Sequence, residues 1–377
     1  MTRTRRASQD CRCPKYLDLL ARNARLTEEV ARLRAKLARQ ERTAKEQPFG
    51  LSTPSPQRLV KPSLPKTRLT NRLLARVARE QSHDGNTTGT VADRLGVPRG
   101  TLLNEMHRLA TPLRPATDGL RARLRDAAVK HADETPWRTD GNNGYAWVFV
   151  AGRITLFACE QTRAMSVPAD VLADCGGTLM TDRYAAYNCF AGERGYCFEH
   201  LKRDTLSIVV ENPASRECRT FAEALVPWLC AAMSLRTTCA GDPVSYFVRA
   251  ALIRREIETI ALAPAHHPSV QGIQNIFREN AHRLWHWTED PRVPAENNVA
   301  ERAVRPLAIA RKISHGSQSA RGRETRSVLM SILHTLNACC TDPEERLAKA
   351  LDHYAQDRNA NMFARLFGGL PLYVPTQ

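Results

Sequence analysis

Apolar residues near the start of the chain recur in alternating steps of three and four, as in a heptad repeat. The repeat consists of Tyr16, Leu19, Asn23, Leu26, Val30, Leu33 and Leu37. It predicts a coiled coil over residues 1–47 that pairs two copies of the chain, with the Asn23 amides fixing the register. A single amphipathic helix packed on its own chain is the alternative. The narrow apolar seam favours the homodimer, because a helix packed on a globular core has a wider apolar face.

Prolines interrupt this pattern in the next segment. Residues 48–66 contain Pro48, Pro54, Pro56, Pro62 and Pro65. Because proline is excluded from the interior of regular helices and strands, we expect an extended linker here.

Helical periodicity returns over residues 67–112, which we predict to form a helix-turn-helix DNA-binding domain. The inward positions are Val91, Ala92 and Leu95 on the first helix and Leu102 and Met106 on the second. Gly96 lies between the helices and can adopt the positive φ of a tight turn. The side chains predicted to enter the major groove are Arg99, Thr101, Asn104 and Arg108. A helical hairpin with no role in DNA binding is the alternative.

From residue 125 onward the pattern is typical of a mixed α/β domain. We predict strands at residues 130–139, 145–150, 154–159, 177–181 and 196–199. Helices are predicted at residues 166–173, over most of 205–286, and at 295–312 and 326–337. The segment DGNNG (140–144) has the composition of a hairpin turn. These elements predict a catalytic domain over residues 125–340 with a helical insertion at about 205–290, followed by a helical tail over 341–377.

Composition indicates the class of partner. The chain of 377 residues has 55 Lys and Arg against 39 Asp and Glu, a formal net charge of +16. Such an excess favours a polyanion, with nucleic acid first and an anionic membrane surface second. No apolar run approaches the roughly 18 residues of a membrane helix, and the basic N-terminus lacks the apolar segment of a secretory signal. The 11 cysteines include no C-x-x-C pair, which favours reduced thiols. We therefore expect a cytoplasmic protein that binds DNA and no membrane.

Three acidic residues stand out by their positions. Asp133 lies within an apolar strand candidate, Asp182 directly follows another, and Glu301 lies on a predicted helix. Side chains at the ends of strands emerge at the rim of an α/β sheet, where a helix can bring a third carboxylate. Carboxylate oxygens suit Mg²⁺, and two such ions roughly 3.5–4 Å apart support phosphodiester chemistry.

Ordered sequence blocks around these acids resemble those of the insertion-sequence-66 (IS66) family of transposases. The blocks are HADET (131–135), TDRYAAYN (181–188), EHLKRD (199–204), NNVAERAVRP (297–306) and RKIS (311–314). The resemblance implies a ribonuclease H-like catalytic domain of DDE type, with Asp133, Asp182 and Glu301 as the catalytic triad and metal ligands. It further implies two Mg²⁺ ions, for which Mn²⁺ can substitute. Glu134 is not expected to be a member, because neighbouring strand side chains point to opposite faces.

The function expected from this resemblance is metal-dependent cleavage at transposon ends and strand transfer into target DNA. The expected partners are terminal inverted repeats, target DNA, a second copy of the chain and accessory proteins of the same element. In a bacterial cell the protein would associate with the nucleoid when bound to DNA. A non-catalytic DNA-binding regulator derived from a transposase is the alternative, and a nuclease without strand transfer is a third.

Several further residues are candidates for supporting roles. His200 and Asp204 lie one helical turn apart and would border the metal site or hold a phosphate, although a packed histidine is an equal alternative. His131 shares a strand face with Asp133, and we favour a structural role over metal binding. For Trp285 and Trp287 we favour packing over base stacking. The side chains predicted to contact DNA phosphates beside Glu301 are Arg302, Arg305, Arg311 and Lys312.

Overall fold

The computed structural model describes residues 69–82 and 86–373, together with residues 28, 29, 31 and 32. The chain forms two compact units, Met1–Ser63 and Leu64–Gln377. In the first unit the four described residues are helical and exposed. The heptad positions and the proline-rich linker lie outside the described residues, so the predicted dimer and linker stay predictions.

A mixed sheet lies at the centre of the second unit. Its five strands, within the described residues, are β1 (Val129–Pro136), β2 (Tyr145–Ala151), β3 (Ile154–Glu160), β4 (Thr178–Thr181) and β5 (Glu193–Tyr196). They lie in the order β3-β2-β1-β4-β5. β1, β2 and β3 are antiparallel neighbours, whereas β4 and β5 run parallel to β1. This arrangement is consistent with a ribonuclease H-like domain.

The chain reverses between β1 and β2 at the predicted turn. Asp140 and Gly141 adopt positive φ angles of 53° and 73°. Two successive positive φ angles are typical of the turns that match the twist of hairpin strands. The composition of residues 140–144 therefore correctly predicted a reversal.

Helices surround the sheet. Within residues 69–290 as described, the helices of eight or more residues are α1 (Asn71–Ser82), α2 (Thr88–Leu95), α3 (Arg99–Ala110), α4 (Arg114–Asp126), α6 (Phe198–Glu211), α7 (Arg216–Thr238), α8 (Pro243–Ala261) and α9 (Pro268–Glu279). The shorter helices are α5 (Ser166–Leu172) and α10 (His286–Glu289). The helices that follow are α11 (Asn298–Ser314), α12 (Ala320–Cys339), α13 (Pro343–Gln356) and α14 (Met362–Phe367). Short 3₁₀ turns occur at Thr111–Leu113, Ala185–Cys189 and Ala281–Arg283. None of the helices in the described ranges has the length and hydropathy needed to cross a bilayer.

One predicted strand is wrong. Residues 196–199 were expected to be extended, but β5 ends at Tyr196 and helix α6 begins at Phe198. Phe198 is fully buried, and its ring packs against Trp285 and Trp287. The apolar run therefore continues from the strand into the core of the helical insertion, and periodicity does not mark the boundary.

The two faces of the sheet pack against different helices. On β2, Trp147 and Phe149 join a core that extends to α1–α4, α12, α13 and α14. The alternate residues Ala146 and Val148 pack with three residues of α11, which are Ala300, Leu307 and Ala310. Alternation of side chains along the strand thus assigns one face to the large helical core and the other to α11.

The helical insertion has a core of its own. Helices α6–α10 contribute to an apolar cluster that includes Trp285 and Trp287, which are 6% and 2% exposed. Both tryptophans therefore pack in the interior, as favoured from the sequence.

Helices α2 and α3 are joined by a tight turn as predicted. Gly96 adopts φ 65°, and its N–H caps α2 by contacting the carbonyls of Ala92 and Asp93. Leu102 and Met106 of α3 are buried and Arg99 is exposed. The side chains predicted to face inward and outward on α3 do so.

Helix α12 covers the edge strand β3 through hydroxyl groups. Three side chains spaced by one helical turn each accept a hydrogen bond from the outward amide of an alternate β3 residue. The pairs are Ser327 with Cys159 (3.0 Å), Ser331 with Phe157 (2.8 Å) and Thr335 with Thr155 (3.1 Å). An edge strand otherwise exposes unpaired amides to other chains, so these hydroxyls both anchor the helix and block the edge.

Ser331→Ala is expected to destabilise the protein. The Phe157 amide would lose its partner in a dry interface, which costs about 1–3 kcal/mol. Urea denaturation measures the loss of unfolding free energy. Ser314→Ala is the matched control, because among the described residues the Ser314 hydroxyl bonds only the Ala310 carbonyl of its own helix. An equal change in both variants would contradict the role of the edge contacts.

Candidate active site

Asp133 lies on β1, the central strand. It pairs in register with Val148, whose side chain packs on the α11 face, so the Asp133 carboxylate points toward α11. Burial is the main reason that the pKa of this carboxyl is raised to about 7. A hydrogen bond from the Glu134 main-chain N–H lowers the pKa, whereas the negative charges of Glu134, Asp182 and Glu301 raise it further. The two distant acids thus act directly on Asp133.

Asp182 directly follows β4, the parallel neighbour of β1. The pairing of His131 with Met180, continued by two residues, brings Asp182 beside Asp133 on the adjacent strand, where strands lie about 4.8 Å apart. The Tyr184 amide donates to Asp182 Oδ1 at 2.9 Å. The carboxylate is therefore held at the sheet rim by its own loop.

Arg194 supports this loop from beneath, a role not foreseen from the sequence. It is 5% exposed and donates to Thr181 Oγ1 and to the carbonyls of Asp182 and Tyr184 at 3.1–3.3 Å. Desolvation lowers the pKa of this guanidinium. A buried cation bonded to the Thr181 hydroxyl and to the carbonyls of Asp182 and Tyr184 restricts how far the loop can move.

Glu301 reaches the same rim from the first turn of α11. Its position depends on Asn297, which is 1% exposed and precedes the helix. Asn297 Nδ2 donates to the Ala132 carbonyl at 2.8 Å, and its Oδ1 accepts from His131 Nδ1 at 2.9 Å. The start of α11 is therefore bonded to β1 immediately before Asp133.

The three predicted acids lie near one another, because the negative charges of Asp182 and Glu301 both raise the pKa of Asp133. Among the described residues, their oxygens do not form a group within 4.8 Å of one another. Two aspartates from neighbouring strands and a glutamate from the covering helix share one rim of the sheet, and their donor atoms are all carboxylate oxygens. Glu301 Oε1 is buried and has no hydrogen-bond partner within the described residues. Carboxylate oxygens suit a hard divalent cation such as Mg²⁺, whereas the unpartnered Oε1 of Glu301 faces His200.

Glu134 is separate from this group. It pairs in register with Trp147 on the other face of the sheet. Its carboxylate accepts from Tyr187 Oη at 2.6 Å and from Arg163 at 2.6 and 3.0 Å. The prediction that Glu134 lies outside the triad agrees with this geometry.

The supporting residues take different positions. His131 is buried, its pKa is lowered to about 4 by burial, and its bond to Asn297 makes it structural. Asp204 forms an ion pair with Arg183, the residue after Asp182. His200 lies beside Glu301, with Nδ1 and Oε1 3.7 Å apart.

Cys197 is a site residue that sequence reasoning missed. Its Sγ accepts a hydrogen bond from the Asn297 amide at 3.2 Å, and burial raises the pKa of the thiol to about 11. The available signal was the C-x-x-H spacing of Cys197 and His200, which places both at the first turn of a helix.

The residues predicted to contact DNA occupy two surfaces. On α3, Thr101, Asn104 and Arg108 line a groove of about 330 Å³ together with Glu105 and Arg321. On α11 the exposed basic side chains are Arg302, Arg305 and Lys312. Arg311 is only partly exposed and donates to Thr135 Oγ1 at 2.9 Å and to the Pro136 carbonyl at 2.8 Å. It therefore binds the end of β1.

Together, the strand order and the three rim carboxylates are consistent with a ribonuclease H-like domain of the DDE class. Residues 66–325 match the family described as "Transposase IS66 family". The chain belongs to this family.

Two curated relatives come from Sinorhizobium fredii (strain NBRC 101917 / NGR234). The uncharacterized protein y4jD is 24% identical over 237 residues, which is 58% of this chain and 44% of that protein. The uncharacterized protein y4qI is 23% identical over 344 residues, which is 80% of this chain and 62% of that protein. The chain thus spans less than two thirds of the length of either relative.

The acid cluster predicts a pH-dependent stability of the metal-free protein. Because the pKa of Asp133 is about 7 when folded and about 3.9 when unfolded, the unfolded state releases the proton first. The free energy of unfolding should therefore fall by about 2–4 kcal/mol as the pH rises from about 4 through about 7. Denaturation in chelator at a series of pH values measures this fall.

Two variants test the cause of this fall. Asp133→Asn should remove it, and the exposed Asp118→Asn should retain it. Adding Mg²⁺ above pH 7 should restabilise the wild type, because the cation binds the folded state. A wild-type profile that matches Asp133→Asn would refute the assignment.

Proposed function

We propose that this chain is a DNA transposase that cleaves transposon ends and joins them to target DNA, with Asp133, Asp182 and Glu301 as its catalytic residues. The observation that carries the proposal is that Asp182, directly after the strand next to that of Asp133, and Glu301 both raise the pKa of Asp133. Two Mg²⁺ ions held there, or Mn²⁺ in their place, would activate the attacking oxygen and stabilise the leaving oxygen. Water as the attacking group gives cleavage, and a DNA 3′-hydroxyl gives strand transfer.

The protein's own residues supply position and charge. Asn297 holds the helix of Glu301 against the strand of Asp133, and Arg194 holds the loop of Asp182. Arg302, Arg305 and Lys312 are exposed on the helix that carries Glu301. Arginine and lysine bind phosphate oxygens. We propose that these three side chains hold the DNA backbone beside the carboxylates.

We propose further that α1–α3, within residues 67–112, form the DNA-reading domain. The tight turn at Gly96, the buried inner faces and the exposed Arg99, Thr101, Asn104 and Arg108 support a helix-turn-helix whose second helix is α3. Arg321 at the start of α12 borders the same groove and would contact the adjacent phosphate.

The remaining segments complete the proposed organisation. Residues 1–47 would pair two chains, residues 48–66 would link them to the DNA-binding part, and residues 341–377 would form the tail. A paired protein can hold the two ends of an element at once. Accessory proteins of the same element are proposed partners.

Catalysis is tested by incubating the protein with the two DNA segments that border its own coding region. We expect Mg²⁺- or Mn²⁺-dependent nicking and joined products from the wild type. Asp182→Asn should lower the rate by at least about 100-fold, because one ligand of the cations loses its charge. The exposed Asp118→Asn is the matched control and should cut normally.

The other outcomes separate the rival functions. Binding without nicking by the wild type would favour a DNA-binding regulator, and nicking without joined products would favour a simple nuclease. Equal nicking by the wild type and Asp182→Asn would remove the catalytic assignment.

DNA reading is tested by binding to end sequences and to scrambled sequences. Asn104→Ala should reduce the preference for the end sequence by about 1–3 kcal/mol, the usual worth of a paired base contact. Lys312→Ala should instead weaken binding to both sequences alike, because it would contact only phosphate. An unchanged preference in both Asn104→Ala and Arg108→Ala would mean that α3 is not the reading helix.

A further inference from the structure

Three ligand-type side chains meet beside the carboxylate rim. Cys197 lies between β5 and α6, His200 is in the first turn of α6, and Glu301 is in the first turn of α11. One ligand atom from each residue, a thiol sulfur, an imidazole nitrogen and a carboxylate oxygen, lies within 4.8 Å of the other two. Within the described residues this is the single group of three or more such side chains.

Two of these atoms are unsatisfied. His200 Nδ1 and Glu301 Oε1 are both buried and neither has a hydrogen-bond partner within the described part of the chain. They face each other at 3.7 Å, which is beyond hydrogen-bond distance. Leaving one buried polar atom unpaired costs about 1–3 kcal/mol. Two such atoms close to each other therefore indicate a ligand that binds both.

The thiol is held in position by a hydrogen bond. The main-chain N–H of Asn297 donates to Cys197 Sγ at 3.2 Å. The Asn297 side chain is in turn fixed by its hydrogen bond to β1. The hydrogen bond to Cys197 orients the sulfur, and a bound cation would displace the thiol proton. The position of Cys197 is therefore set by the same residue that positions Glu301.

We propose that Cys197, His200 and Glu301 form a binding site for a thiophilic divalent cation, with Zn²⁺ the first candidate. Sulfur, imidazole and carboxylate ligands lie about 2.0–2.3 Å from zinc, so neighbouring ligands of a tetrahedral site are about 3.3–3.8 Å apart. The separation of 3.7 Å between His200 and Glu301 meets this requirement. The side chains of His200 and Glu301 are 29% and 30% exposed, which leaves a route for the cation and a fourth position for water.

The proposed site differs from the three-acid site in chemistry and shares one residue with it. Sulfur and nitrogen ligands select Zn²⁺ or Cd²⁺, whereas oxygen ligands alone select Mg²⁺ or Mn²⁺. Because both sites use Glu301, a bound Zn²⁺ draws this carboxylate away from Asp133 and Asp182. Zinc then acts as an inhibitor of the proposed transposase; this consequence rests on the proposed function, whereas zinc binding itself does not.

The binding is tested on the full-length, metal-free protein with Zn²⁺ alone, in competition with a chromophoric chelator. The wild type should bind one more tight equivalent than Cys197→Ser and His200→Ala, in which the affinity of this site falls by at least about tenfold. Cd²⁺ alone should produce a thiolate charge-transfer absorbance that is reduced in Cys197→Ser. Equal affinities in the wild type and either variant would overturn the proposal.

The matched control is Cys218→Ser. Cys218 Sγ lies 3.3 Å from His267 Nδ1, so it belongs to a second Cys–His pair, but no third ligand joins that pair within the described ranges. This variant should keep the tight equivalent, and its loss there would overturn the assignment to Cys197. His200→Ala keeps the test decisive if Cys197→Ser does not fold, because His200 is partly exposed and contributes little to the core.

Sharing of Glu301 is tested by Mn²⁺ binding, followed through the magnetic resonance signal of free Mn²⁺. One equivalent of Zn²⁺ should weaken Mn²⁺ binding by the wild type and leave it unchanged in His200→Ala. If Mn²⁺ binds normally to the zinc-loaded wild type, the two cations do not share Glu301. A further outcome is that the zinc-free protein fails to bind Mn²⁺ although the zinc titration shows the tight equivalent. In that case the three-acid site fails and the zinc site stands.

Discussion

The hydrogen bonds of Asn297 are the contacts on which the candidate site depends most. One buried side chain satisfies the Ala132 carbonyl and His131, while its main chain bonds Cys197 and Glu301. It thereby connects the central strand, the turn after β5 and the start of α11, three segments far apart in the sequence. Because a buried amide must have all its partners placed correctly to be stable, the correct fold and the correct placement of Glu301 relative to Asp133 are achieved together.

The same site opposes stability electrostatically. Burial and neighbouring negative charges raise the pKa of Asp133 to about 7, so ionising the cluster costs free energy that packing elsewhere must offset. The core shared by the sheet and the surrounding helices supplies that offset, with α12 bonded to the whole length of the edge strand. Under the proposed function, a cation that neutralises the rim would remove the conflict and would thereby link metal binding to folding.

Sequence patterns predicted most of the fold and part of the site, for physical reasons that differ between elements. Strands β1–β3 alternate or are continuously apolar and end at turn residues, so the sequence pattern predicted them. It also predicted the positions of Asp133 and Asp182 on or after strands, and the turn at Gly96. β5 was placed too late because its apolar run continues into α6. The bonds of Arg311 to β1, the support of Asp182 by Arg194 and the meeting of Cys197 with Glu301 depend on tertiary contacts between distant segments, which no local pattern encodes. The coiled coil stays a prediction, since its heptad positions lie outside the described residues.

Helices α1–α4 share one continuous apolar core with the sheet, and His107 of α3 bonds Thr325 of α12 at 2.7 Å. Under the proposed function, the surface that recognises a DNA sequence is thus rigidly joined to the rim that cuts it, within one folded body. The number of base pairs between the recognised sequence and the scissile phosphate would then be set by the dimensions of this core. Insertions or deletions in the DNA between those two points would shift the recognised sequence off α3 by rotation around the double helix as well as by translation along it.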